Sequence, residues 1–157
     1  MNKTSTTTNK IARTIISKTG FVNNRHKALM GLILLGYQID QKRQDTLKPF
    51  DITSSQYNAL RILRGQNPKL LSMEDIRRRM MDKNSDVTRL VERLLKMNYV
   101  TREINESDRR IVNIGITAQG LELLAQIDKV IHQVWKFEGV SDEEIDVLID
   151  IIEKMLD

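Results

Sequence analysis

Cysteine is absent from this 157-residue chain. Disulfides, thiolate metal sites and thiol redox sensing are therefore excluded. Histidine occurs only at His26 and His132, far apart in sequence, so neither a metal site nor a bound cofactor is expected. The longest apolar stretch, Ala28 to Tyr37, is interrupted by glycine and too short to span a bilayer. Residues 1–10 are polar and threonine-rich, with no apolar signal core, so a cytoplasmic location without membrane association is expected. Gly-rich phosphate loops, nucleophile motifs and convincing acid–base pairs are also missing. The carboxylates near the C-terminus fit a solvated helix face, and no enzymatic activity is expected.

What remains is a chain with 40% apolar and 29% charged residues, the balance of a folded soluble protein. Its length suits one domain with an extension. The net charge of +4 hides an uneven distribution: residues 1–50 hold nine Lys/Arg against two Asp/Glu, and residues 111–157 hold three against ten. These two ends could meet within the fold or across a dimer.

The pattern along the chain predicts a mainly α protein with one small β-hairpin. Residues 1–24 read as a partly flexible extension, broken by Gly20 and Asn23-Asn24. A long helix is expected over 25–47, ended by Pro49. Thr53-Ser-Ser-Gln56 forms a capping box that starts a helix through Gly65. Leu70-Leu71 reads as a possible short strand. Ser72 caps a helix expected to run through Met81, and a further helix is expected from Ser85 to Met97. Strands over 99–104 and 111–116 enclose a turn at 105–110. Thr117 is a candidate N-cap for the next helix, expected from Gly120 to about Glu138 and stopped by Gly139, and a last one begins at the Ser141-Asp-Glu-Glu144 capping box.

The helix from Ser85 carries the functional signal. Val87, Leu90, Val91 and Leu94 form one apolar stripe, and Ser85, Asp86, Thr88, Arg89, Glu92, Arg93 and Lys96 lie on the opposite arc. Short hydroxyl side chains allow close approach of the helix start, and two arginines one turn apart can reach guanine edges or phosphates. The preceding helix holds Arg77, Arg78 and Arg79, with Lys83 and Asn84 in the turn. The unit reads as a helix–turn–helix with a basic rim. Met80 and Met81 are expected as core filler. The 105–110 turn adds Arg109 and Arg110. Arginines on a projecting turn suit the narrow minor groove, and Asp108 suits holding one of them. The competing reading is a winged helix that binds protein, without specific DNA binding.

On these residues the chain resembles the MarR family of bacterial transcription regulators, from about Gly31 to Leu156. The closest likeness is Asp108-Arg109-Arg110 followed by Ile116-Thr117-Ala-Gln-Gly120, which is similar to the family's wing signature of Asp-x-Arg and Leu-Thr-x-x-Gly. Ile116 stands in place of the usual Leu, and Asn105 where Asp is common. The resemblance implies a homodimer that binds a pseudo-palindromic double-stranded operator as a transcription regulator and repressor. It assigns a winged helix–turn–helix lobe to residues 53–117 and interlocking dimerisation helices to 25–52 and 118–157. It places Arg110 in the minor groove, with Asp108 positioning it. It also implies a cleft for a small anionic or aromatic effector, with Tyr37, Gln41, Tyr57 and Arg61 as candidates. The residues themselves favour both tyrosines as core residues with satisfied hydroxyls. Dimerisation has independent support in the last helix: Ile145, Leu148, Ile149, Ile152 and Met155 form one stripe, while Val147, Ile151 and Leu156 lie off it. A helix apolar on more than one side needs a second surface.

Overall fold

The computed structural model describes residue 11, residues 20–104 and residues 111–156. Helix α1 spans Asn24–Leu47 and is capped by Asn23, whose side chain accepts from the His26 N–H at 2.9 Å. Pro49 then sits in a 3-10 turn over Lys48–Phe50, and Asp51 reverses the chain with a left-handed φ of 54°. The expected capping box opens α2 (Ser54–Gln66). The Thr53 N–H donates to the Gln56 side chain at 2.8 Å, and the Gln56 N–H donates back to the Thr53 hydroxyl at 3.2 Å. Tyr57, Ala59, Leu60 and Leu63 form the buried face of this helix.

Strand β1 (Leu71–Ser72) runs directly into α3 (Met73–Arg79), which Ser72 caps by accepting from the Asp75 N–H at 3.1 Å. Helix α4 (Val87–Lys96) buries Val87, Leu90, Val91 and Leu94, the stripe that its periodicity predicts. Asn98, with φ of 59°, turns the chain into β2 (Val100–Ile104), which pairs antiparallel with β3 (Val112–Ile116) from Val100↔Ile116 to Ile104↔Val112. The hairpin is as expected, but the sheet is larger. β1 pairs along the other edge of β3, with Leu71 opposite Ile114, giving the order β1-β3-β2.

Helix α5 (Ala118–Ile131) starts two residues before the expected position, because Thr117 is its cap and accepts from the Gly120 N–H at 2.9 Å. It does not run on to Glu138: the chain tightens into a 3-10 turn over His132–Trp135 and becomes extended at Lys136. Helix α6 (Asp142–Leu156) opens on the second capping box, with the Ser141 N–H bonded to Glu144 at 3.0 Å and the Glu144 N–H to Ser141 at 3.3 Å. None of the described helices is long and apolar enough to cross a membrane.

The core lies where α2, α4 and α5 meet the sheet. Leu60, Leu94, Ile114, Leu124 and Ile127 are all buried there, with Leu47 at the end of α1. Helix α6 contributes nothing to it and buries no residue of its own. Val147, Ile149, Ile151, Ile152 and Met155 are exposed in the single chain, as are Leu29, Ile33 and Leu35 on α1. Between the two helices runs an apolar groove of about 490 Å³, walled by Leu32 and Leu35 on one side and Leu148 and Ile151 on the other.

Candidate nucleic-acid interface

The helix–turn–helix is built by side chains that bond to nearby backbone. Helix α3 stops at Arg79, short of the expected end, because Met80 adopts extended backbone with ψ of 138°. This kink separates the methionine pair. Met80 is fully buried, whereas Met81 is 77% exposed and is not core filler. In the turn the Lys83 ammonium donates to the carbonyl of Arg78 at 2.7 Å, closing the end of α3. The Asp82 carboxylate accepts from the Asn84 N–H at 2.9 Å and from the Ser85 hydroxyl at 3.1 Å.

Asp86 is the cap of α4, accepting from the Arg89 N–H at 3.1 Å. Ser85 and Asp86 therefore precede the recognition helix, where their periodicity placed them on its outer arc. Short polar side chains compete for adjacent backbone groups and so favour caps over helix interiors. Asp86 also belongs at the positive end of the helix dipole.

The face of α4 opposite its buried stripe presents Thr88, Arg89 and Arg93, all exposed. Among the described residues neither arginine makes an ion pair. The arginines of α3 differ. Arg77 pairs with Glu74 at 3.0 Å, while Arg78 and Arg79 share Asp75 at 3.0 and 3.5 Å. The Ser72 hydroxyl donates to Asp75 at 2.7 Å. This bond, assisted by Arg78 and Arg79, holds the Asp75 carboxyl below its ordinary pKa. The basic rim expected on α3 is thus largely matched by its own carboxylates, and the uncompensated positive charge of the unit lies on α4.

Arg89 and Arg93 line a cleft of about 330 Å³ together with Asp82, Asp86 and three residues from the start of α2, Thr53, Ser55 and Gln56. Sequence reasoning identified Thr53 as a helix cap but had no signal that the start of α2 lies beside α4. That proximity is a tertiary contact between segments about thirty residues apart.

The wing-tip residues Asp108, Arg109 and Arg110 lie outside the described residues. The base of the hairpin is well defined. The Thr117 hydroxyl donates to the Asn98 carbonyl at 2.8 Å, and the Thr117 N–H to the Tyr99 carbonyl at 3.0 Å. A Cβ on Gly120 would stand under 3.0 Å from that same Tyr99 carbonyl oxygen. The Thr-x-x-Gly spacing thus has a local cause. Threonine caps α5 and ties it to the end of α4, and glycine lets the helix lie against the strand backbone.

The four effector candidates separate. Arg61 lies over the Tyr57 ring at 5.7 Å, a cation–π distance. Tyr57 is buried, but among the described residues its hydroxyl has no hydrogen-bond partner, in contrast to the expected satisfied phenol. Burial pushes its pKa above the ordinary value, against the opposing field of Arg61. Tyr37 is 64% exposed and is not a core residue of the single chain; Gln41 is exposed as well. A larger cavity of about 740 Å³ lies between α1 and the start of α2, lined by Asp40, Arg43, Lys48, Ser54 and Asp82 among others, and by none of the four candidates.

The MarR family model matches residues 52–112, the segment from the start of α2 to the return strand. The HTH-type transcriptional regulator SarZ of Staphylococcus aureus is 26% identical over 113 residues, covering 72% of this chain and 75% of the relative. Among solved structures, a MarR-like transcription regulator from Bacillus cereus superposes with a TM-score of 0.76 at 21% identity, over 84% of this chain and 95% of its own. The MepR–DNA complex of Staphylococcus aureus gives a TM-score of 0.69 at 26% identity, over 80% and 93%. Helix–turn–helix, three-stranded sheet, hairpin anchor and these likenesses agree: residues 52–112 match the MarR family model, and the chain has the fold of winged helix–turn–helix regulators similar to SarZ and MepR.

Proposed function

We propose that the protein regulates transcription as a homodimer that binds a pseudo-palindromic double-stranded DNA operator, acting as a repressor. The observation that carries this reading is the outer face of α4, where Thr88, Arg89 and Arg93 are exposed and the arginines have no carboxylate partner among the described residues. Such a face fits the major groove, where guanidinium groups bind guanine edges or phosphates. The similarity to MepR, solved with DNA, supports the same use of the fold.

In this reading residues 53–117 are the DNA-binding lobe, and residues 25–52 and 118–157 form the dimer. Asn84 and Lys83 flank the turn at the DNA surface, with Lys83 also closing α3. Ser85 and Asp86 shape the start of α4. Arg110 would enter the minor groove, with Asp108 positioning it and Arg109 beside it on the same turn. The exposed apolar residues of α1 and α6 support a second copy as their cover: a face of this size is unusual on a monomer. The charge distribution adds to this, since residues 1–50 are basic and residues 111–157 acidic. Effector control through Tyr57 and Arg61 would act by favouring a dimer whose recognition helices are wrongly spaced for half-sites roughly 34–36 Å apart.

The test is fluorescence anisotropy on the DNA upstream of the protein's own gene and on an unrelated duplex, at several salt concentrations. Tight binding to the first alone, with a steep salt slope, supports the reading. Equal weak binding to both, together with failure to select any sequence from a random duplex library, overturns it in favour of a protein-binding winged helix.

A further inference from the structure

The α3–α4 turn sets the direction of α4, yet nearly all its hydrogen bonds are internal to the helix–turn–helix. The exception among the described residues comes from α2. The side-chain oxygen of Asn58 accepts from the Met81 N–H at 3.0 Å, across 23 positions of sequence. The Met81 N–H is available because Met80 has left the helix into extended backbone. Met81 itself is 77% exposed, so water could satisfy this N–H equally well. The bond is therefore worth no more than the modest net free energy of one hydrogen bond exchanged with water. Its effect is geometric, fixing where the turn stands.

One helical turn before Asn58, on the same face of α2, the Ser54 hydroxyl accepts from Arg43 Nε of α1 at 3.2 Å. Arg43 is itself held by Asp40, one turn earlier on α1. Helix α2 thus carries two side-chain bonds that lead in opposite directions, one to α1 and one to the turn that presents α4.

We propose that Asn58 is a positioning residue for DNA reading: it fixes the α3–α4 turn, and so the presentation of α4, to α2 and through Ser54 and Arg43 to α1. This rests on the DNA-binding reading above. The residue touches no base. It acts through the orientation of Arg89 and Arg93, so its loss lowers discrimination between sequences while leaving the sequence-independent hold on phosphates in place.

The experiment compares Asn58→Ala and Asn58→Asp with the wild-type chain. The probe is the duplex that the wild-type protein itself enriches from a random-sequence library, beside an unrelated duplex. Aspartate keeps the acceptor oxygen. Its added negative charge weakens both duplexes alike and drops out of their affinity ratio. The ratio is expected to fall about 3- to 10-fold in Asn58→Ala, the scale of one net hydrogen bond, and to be restored in Asn58→Asp. Amide hydrogen exchange of Met81, measured without DNA, is expected to accelerate in Asn58→Ala only. An unchanged ratio in Asn58→Ala, or an equal fall in both variants, overturns the proposal. If the wild-type chain enriches no duplex, the DNA reading fails and the positioning role with it. Protection of Met81 by Asn58 would then mark the bond as real but without that function.

Discussion

Replacing Gly120 with alanine tests the junction between the winged helix and α5. In an ordinary helix this exchange stabilises by about 1 kcal/mol, because alanine loses less backbone freedom. Here the added Cβ would stand under 3.0 Å from the Tyr99 carbonyl oxygen and 2.9 Å from Ile116 Cγ1. The first obstacle is backbone in the hairpin base and cannot swing aside. Overpacking of this kind costs about 3 kcal/mol, the upper end of its usual range. Any retreat of α5 also stretches the 2.8 Å bond from Thr117 to Asn98, a further cost of about 1 kcal/mol. The net expectation is a destabilisation of about 3 kcal/mol by the same principles. Urea unfolding at one fixed protein concentration measures it, since a dimer's midpoint depends on concentration. Gly65→Ala is the internal control: a Cβ there meets nothing within 4 Å, and a gain of up to about 1 kcal/mol is expected. If Gly120→Ala unfolds within about 0.5 kcal/mol of the parent, the close approach of α5 to the Tyr99 carbonyl is not a constraint.

Three further predictions concern the interface, its supports and the dimer. Arg93→Ala should leave stability unchanged, because among the described residues no carboxylate loses a partner, yet cost about 1–3 kcal/mol in operator affinity if the arginine reads guanine. Equal weakening of operator and unrelated DNA would make it a phosphate contact instead. Ser72→Ala should cost about 1 kcal/mol of stability at neutral pH through the lost cap of α3. The bonded Asp75 carboxyl is depressed, so its contribution is present above its ordinary pKa of 3.8 and fades as pH falls through and below it. The gap between Ser72→Ala and parent should therefore narrow from pH 7 to pH 3 in urea unfolding, and a constant gap would refute the role given to Asp75. Ile151→Glu places charge on the wall of the α1–α6 groove and should convert the proposed dimer to monomer in sedimentation velocity. A variant that remains dimeric would put the interface elsewhere.

The features that the sequence made legible are local ones. Capping boxes at Thr53 and Ser141 span four residues each, and the apolar stripe of α4 spans three turns, so both can be read in a short window. The hairpin and its Thr-x-x-Gly base are equally local. What escaped depended on distant partners or on competition for one backbone group. The short strand at Leu70-Leu71 was legible, but its pairing with the edge of β3, forty positions away, was not. The start of α4 shifted because Asp86 bonds to the backbone of Arg89 instead of facing outward. The separation of Met80 from Met81 needs the kink at the end of α3, which the polar pattern does not encode. At the candidate interface, composition identified the arginines but could not tell that those of α3 pair with carboxylates while those of α4, among the described residues, form no ion pair. The link from Asn58 to Met81 left no sequence signal, since a single asparagine on a helix has many uses.

The matching of the α3 arginines by Glu74 and Asp75 has a bearing on how the protein moves among sites. Non-specific attraction to DNA grows with the number of phosphate charges that a protein's cations replace. Helix α3 carries three arginines but a net charge of only one, because Glu74 and Asp75 pair with them. If α4 reads DNA as proposed, these carboxylates would lower the hold of α3 on random sequence. Residence would then be weighted toward duplexes that α4 can enter fully, a sharpening of the search by groups that contact no base.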